Sequence, residues 1–200
     1  MFPNELAFLR EMNTMSEVSK KGVFNINKKI IRFEKEIKNN TEREGEVCGI
    51  FSEKGELLCW FAGFSALMIT NKECPETKGT ILTHNHVSDS SFSKYDLKTA
   101  SELKLKEIRV AGFTAVYSMK PSLKSGTGEW PAPDVIVRRY EEISRDRHIR
   151  SKINELMAVL ESSASKKEGN IEILKVKSDL ICEKLAKDLG LLYSKGRWVG

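Results

Sequence analysis

Apolar residues recur with helical spacing along the first 43 positions. In INKKIIRFEKEIKNN, residues Ile26, Ile30, Phe33 and Ile37 stand at i, i+4, i+7 and i+11, one stripe of an amphipathic helix that stops at Asn39 and Asn40. FPNELAFLREM, opening behind Pro3, predicts another helix before it. From about Glu46 to Tyr117 the pattern shortens to β-like runs: EVCGIF, the turn SEKGE, LLCWFAG as its hairpin partner, then ALMIT. After a loop at Cys74–Pro75, GTILTHNH predicts a buried strand ending in polar residues. SKYDLKTASELKL predicts a helix, and EIRVAG and TAVYSMKP two further strands. Strands alternating with a helix predict an α/β layer fold: a mixed β-sheet flanked by helices.

Residues 121–133 (PSLKSGTGEWPAP) predict a loop, and the spacing of Gly126 and Gly128 lacks the context of a phosphate-binding loop. From Asp134 to about Gly190 helical spacing returns in IRSKINELMAVLES and SDLICEKLAKDLG, interrupted near SSASKKEGN, with Gly190 as a C-cap. The chain therefore divides into an N-terminal helical segment (1–43), a core (44–133) and a C-terminal helical region (134–200) packed on or beside it.

Two hundred residues, 40% hydrophobic and 30% charged, suffice for one packed domain with appendages and exclude a disordered composition. The 33 basic residues exceed the 28 acidic ones by only five, and the two signs are interleaved, which leaves nucleic-acid contact weakly supported. Trp60, Trp130 and Trp198 are not spaced as a base-stacking platform, so packing is expected of them. Cys48, Cys59, Cys74 and Cys182 lack the short C-x-x-C spacing of a zinc site or redox pair, which predicts reduced thiols. No signal peptide and no apolar run of about 20 residues is present, so a cytoplasmic protein without a membrane partner is expected.

Two of the three histidines, His84 and His86, sit in THNHVSDSSFSKYD. At the end of a strand, alternate residues project to one side, so both imidazoles can ligate one metal ion. Ser93 and Asp96 follow as S-x-x-D opening a helix; this is a capping-box signature, and it also brings a carboxylate back toward the same point. Two histidines and a carboxylate with an open fourth position suit a catalytic zinc ion rather than a closed structural one. Asp89 in the loop is an alternative third ligand. Strand alternation points Asn85 away from the metal, toward packing. His148, in SRDRHIR, is expected on a solvent-facing helix surface.

H-x-H, a short loop and S-x-x-D together resemble the JAMM motif of the JAB/MPN metalloenzymes, and T-H-N-H resembles their RadC-like branch. The resemblance runs from about Glu46 to Lys120 and includes Glu46-Val47-Cys48-Gly49 as the family's upstream E-x-x-G. It implies a fold like that of the JAMM and cytidine-deaminase groups. It also implies a zinc-dependent hydrolase, a metalloprotease cleaving a peptide or isopeptide bond of a protein or peptide substrate. His84, His86 and Asp96 would hold Zn²⁺, Glu46 would be the general base for the activated water, and Ser93 would stabilise the oxyanion. Glu42 and Glu44 are alternative bases without the E-x-x-G context. JAMM-type proteins often work in complexes, so a homodimer or complex partner is compatible with this likeness.

Val87 replaces the proline usual after the second histidine, and six residues separate His86 from Ser93, one fewer than the commonest family spacing. In these features, and in the tail KLAKDLGLLY, the chain resembles phage head-morphogenesis and related mobile-element proteins. That likeness implies the alternative of a binding or assembly module, with DNA or capsid partners, that keeps the fold without peptidase activity. A zinc nucleobase deaminase would need H-x-E followed by P-C-x-x-C, and the chain has neither.

Overall fold

The computed structural model describes residues 26–39, 45–63, 77–124, 126–161 and 166–198. The expected helix near Pro3, the ALMIT strand, the Cys74–Pro75 loop, and Glu42 and Glu44 lie outside the described residues. The elements in chain order are α1 (Ile26–Asn39), β1 (Glu46–Phe51), β2 (Leu57–Gly63), β3 (Ile81–Asn85), α2 (Lys94–Glu102), β4 (Glu107–Ala111) and β5 (Ala115–Pro121). They continue with α3 (Pro133–Ser144), α4 (Arg147–Glu161), α5 (Lys166–Leu189) and β6 (Leu191–Arg197). The strands form one mixed sheet of order β2-β1-β3-β4-β5-β6. Among the described strands only β3 and β4 run parallel, and α2 is the crossover that a parallel pair requires. The chain is α/β, as its periodicities predict.

Side-chain alternation sorts the sheet into two buried faces. On one, the α1 stripe of Ile30, Phe33 and Ile37 packs on Phe51, Ile81 and Ala111. Phe33 is fully buried, worth about 2–3 kcal/mol. Its ring lies so close over β1 that a Cβ on Gly49 would come within 2.7 Å of it. The glycine of the E-x-x-G run is therefore where helix and sheet touch. On the other face, Ile50, Leu82, Ile108, Val110 and Tyr117 meet Leu97 of α2, Ile136 of α3 and Leu185 of α5. The central strand β3 is buried at every position, so its two faces are set by partners and not by solvent.

Between the α1 stripe and the sheet lies a buried charge. Glu34, fully buried, accepts hydrogen bonds from Thr83 Oγ1 at 2.9 Å and from Arg109 Nε and Nη2 at 2.6 and 3.1 Å. Arg109 also donates to Glu107 at 2.7 Å. A buried carboxylate is tolerable only when paired in this way.

Two expectations are corrected. The C-terminal region is not helical to its end: Leu191–Arg197 pairs antiparallel with β5 after Gly190, whose φ of 67° makes the reversal. Cys59, on the edge strand β2, is disulfide-bonded, whereas Cys48 and Cys182 are free and walled into the core. Among the described residues, no helix is long and apolar enough to cross a membrane. Trp130 and Trp198 donate to the Leu105 and Gly112 carbonyls, and Trp60 packs against the cluster under α1, in keeping with packing roles. His148 is exposed.

Candidate metal centre

His84 is the fourth residue of β3, and its register partner on β1 is Cys48. Partners across antiparallel strands share a face, so Glu46, two residues before Cys48, lies on the same face as His84. The charge of Glu46 acts on both histidines and on Cys48.

The other side of the cluster comes from the start of α2. Ser93 is its N-cap: the Ser93 Oγ accepts from the Asp96 amide at 3.2 Å, and Asp96 Oδ2 accepts from the Ser93 amide at 2.6 Å. This capping box orients the Asp96 carboxylate toward the strand end. His84 Nε2 and His86 Nε2 are 3.0 Å apart, with Asp96 Oδ1 3.4 Å from the former and Asp96 Oδ2 3.5 Å from the latter. A tetrahedral zinc ion with bonds of about 2.0–2.1 Å requires ligand atoms about 3.3–3.4 Å apart. The two Asp96 separations, each from a different carboxylate oxygen, are close to that spacing, and the 3.0 Å between the histidine nitrogens is somewhat shorter. Among the described residues these three form the one group of three or more such side chains whose ligand atoms lie within 4.8 Å of one another.

The rings are held by their far sides to different degrees. His86 Nδ1 lies 3.0 Å from the Ser90 carbonyl, which fixes the Nδ1–H tautomer and turns the Nε2 lone pair inward. His84 Nδ1 is buried with no hydrogen-bond partner; the Arg109 carbonyl favours the protonated ring but does not reach bonding geometry.

Burial opposes charge on both rings. At His84 the Asp96 carboxylate outweighs it and the pKa rises, whereas at His86 burial and the neighbouring His84 charge depress it. Burial alone would raise the Asp96 carboxyl, but His84, His86 and the Ser93 amide hold it well below the usual carboxylate range. Burial pushes the Cys48 thiol up, so it stays neutral beside the cluster.

Two loop residues part company with the cluster. Asp89, at φ 53°, accepts from the Thr114 amide and hydroxyl at 2.9 and 2.6 Å and from Lys175 Nζ at 2.9 Å. Its carboxylate fastens the loop after His86 to the β4–β5 turn and to α5, which removes it as a third ligand. Val87 is 53% exposed at the rim and makes no part of the group.

Asn85 carries a role that alternation did not reveal. Fully buried, its Oδ1 accepts from the Val47 amide at 2.5 Å, and its Nδ2 donates to the Gly45 carbonyl at 3.3 Å. The side chain thus replaces the ladder where β3 ends and grips the backbone on both sides of Glu46. An asparagine between two histidines at a strand end was the available signal, but its partners lie 38 and 40 residues upstream.

Comparisons with family models, curated proteins and solved structures return no significant match to this chain.

Proposed function

We propose that the protein is a zinc-dependent hydrolase of the JAMM type, acting on a peptide or isopeptide bond. The observation that carries this reading is the convergence of His84, His86 and Asp96 within one metal-sized space, with Glu46 on the adjoining strand. Zinc held by these three side chains would supply a Lewis acid for the scissile carbonyl and bring the pKa of water toward neutrality.

Glu46 takes the proton from the attacking water and returns it to the leaving amine, so one carboxylate serves as base and then as acid. Its backbone is fixed by Asn85, which keeps the carboxylate in place through both transfers. The Ser93 oxygen already accepts from the Asp96 amide, which leaves its O–H free to donate to the carbonyl oxygen as negative charge develops. Buried and neutral, Cys48 adds no competing anion on this face.

The test is Glu46→Gln, assayed on a synthetic pool of linear and isopeptide-linked peptides followed by mass spectrometry. The variant is expected to keep its zinc and to lose cleavage by about 10²- to 10⁴-fold. Undiminished cleavage would remove Glu46 from the base role. A zinc-loaded wild type that cleaves no member of the pool would count against the hydrolase.

A further inference from the structure

Beside the metal centre, a cavity of about 450 Å³ opens between the Ser88–Ser93 loop, the first turn of α2, α3 and α5. It adjoins the centre directly: Ser93 and Ser90 line it, and these residues cap the Asp96 helix and hold His86. Its walls carry uncovered apolar surface, with Tyr95 63% and Leu174 52% exposed and Ile181 at the bottom.

The polar groups of the lining are largely matched among themselves. Ser88 and Ser90 share a hydrogen bond at 2.7 Å, Ser144 donates to the Glu141 carbonyl at 2.7 Å, and Ser178 accepts from the Ser91 amide at 2.9 Å. Lys94 is paired with Glu141 at 2.6 Å, which cancels the one acidic side chain of the lining. Lys177 remains. It lines the cavity from α5 and has no ion-pair partner among the described residues. The cavity therefore offers apolar walls and one uncompensated positive charge.

We infer that this cavity is the substrate-recognition pocket next to the metal centre, and that it takes a carboxylate carried on a short apolar body, with Lys177 as its counter-charge. The assignment rests on the hydrolase reading of the neighbouring cluster only in naming the ligand a substrate. Two sources share this chemistry: an acidic side chain near the scissile bond, and the free C-terminus of a peptide. Lys177 is a specificity residue in this account and takes no part in the proton transfers.

Binding is read with the full-length Glu46→Gln protein, so that cleavage does not consume the probe. Fluorescein-labelled octapeptides differ at one central position, Glu, Gln or Lys, each with a free or an amidated C-terminus, and fluorescence polarisation gives their affinities. A carboxylate-bearing peptide is expected to bind about threefold to tenfold tighter than its neutral counterpart, with the advantage shrinking as salt rises. The advantage follows the central Glu if a side chain is the ligand, and follows the free C-terminus if that is.

Adding Lys177→Glu is expected to abolish or invert the preference at unchanged zinc content, and Lys177→Arg to keep it. Equal binding of all peptides, no binding at all, or a preference indifferent to Lys177→Glu would overturn the assignment. Acid-preferring binding by a protein that takes up no zinc and cleaves nothing would uphold the pocket and sink the hydrolase, so the two ideas fail separately.

Discussion

Replacing Asn85 by alanine removes a side chain that bridges the two strands where their ladder ends. The Val47 amide loses its 2.5 Å acceptor, and the Gly45 carbonyl loses a weaker 3.3 Å donor. Val47 and Gly45 are half-buried. An unsatisfied buried N–H costs about 1–3 kcal/mol, and the outlying carbonyl can turn to water at little cost. The Asn85→Ala protein is therefore expected to lose about 2 kcal/mol in urea unfolding of the metal-free chain. The loss has an address: amide exchange at Val47 should accelerate far more than at Ile50, which lies within the paired part of β1. Asn85→Asp keeps the acceptor but not the donor, so it should preserve Val47 protection better than alanine. Because the same bonds flank Glu46, turnover should fall in Asn85→Ala while zinc content holds. Unchanged Val47 exchange with a stability loss under about 0.5 kcal/mol would refute the clamp.

Glu34→Ala strands the Arg109 guanidinium and the Thr83 hydroxyl behind β3 and is expected to cost about 3 kcal/mol in urea unfolding, with Glu34→Gln costing less. A loss below about 1 kcal/mol would mean that Glu107 alone satisfies Arg109. Burial alone would raise the Asp89 carboxyl, but the bonds from Thr114 and Lys175 outweigh it and hold its pKa below the ordinary value. A depressed folded pKa contributes stability above the unfolded pKa of about 3.9, which is lost as pH falls through the folded one. Urea midpoints should thus drop between about pH 5 and 2 more steeply in the wild type than in Asp89→Asn, and parallel profiles would contradict the assignment.

How much of this was legible beforehand follows from the distance over which each residue finds its partners. The α1 stripe, the H-x-H pair and the S-x-x-D cap are local patterns, and the structure places each as its periodicity requires. Glu34 reads as one polar residue beside an apolar stripe, because its partners Thr83 and Arg109 stand 49 and 75 residues away. Asp89 reads as an available ligand for the same reason: Thr114 and Lys175, which claim it, are 25 and 86 residues on. In LLYSKGR only Leu191 and Tyr193 turn toward the core and all that follows is exposed, an alternation too short to announce β6. That strand exists because β5 offers an open edge after the turn at Gly190. The Cys59 disulfide is not legible in the sequence because cysteine spacing along the chain does not report distance in the fold.

The central claim is that His84, His86 and Asp96 are a zinc site, and metal analysis of the purified full-length protein tests it most directly. The account predicts one tightly held zinc ion per chain, lost in His84→Ala and in Asp96→Ala and retained in Glu46→Gln. A wild type that holds no zinc after exposure to it, or one whose zinc survives both ligand substitutions, would contradict it.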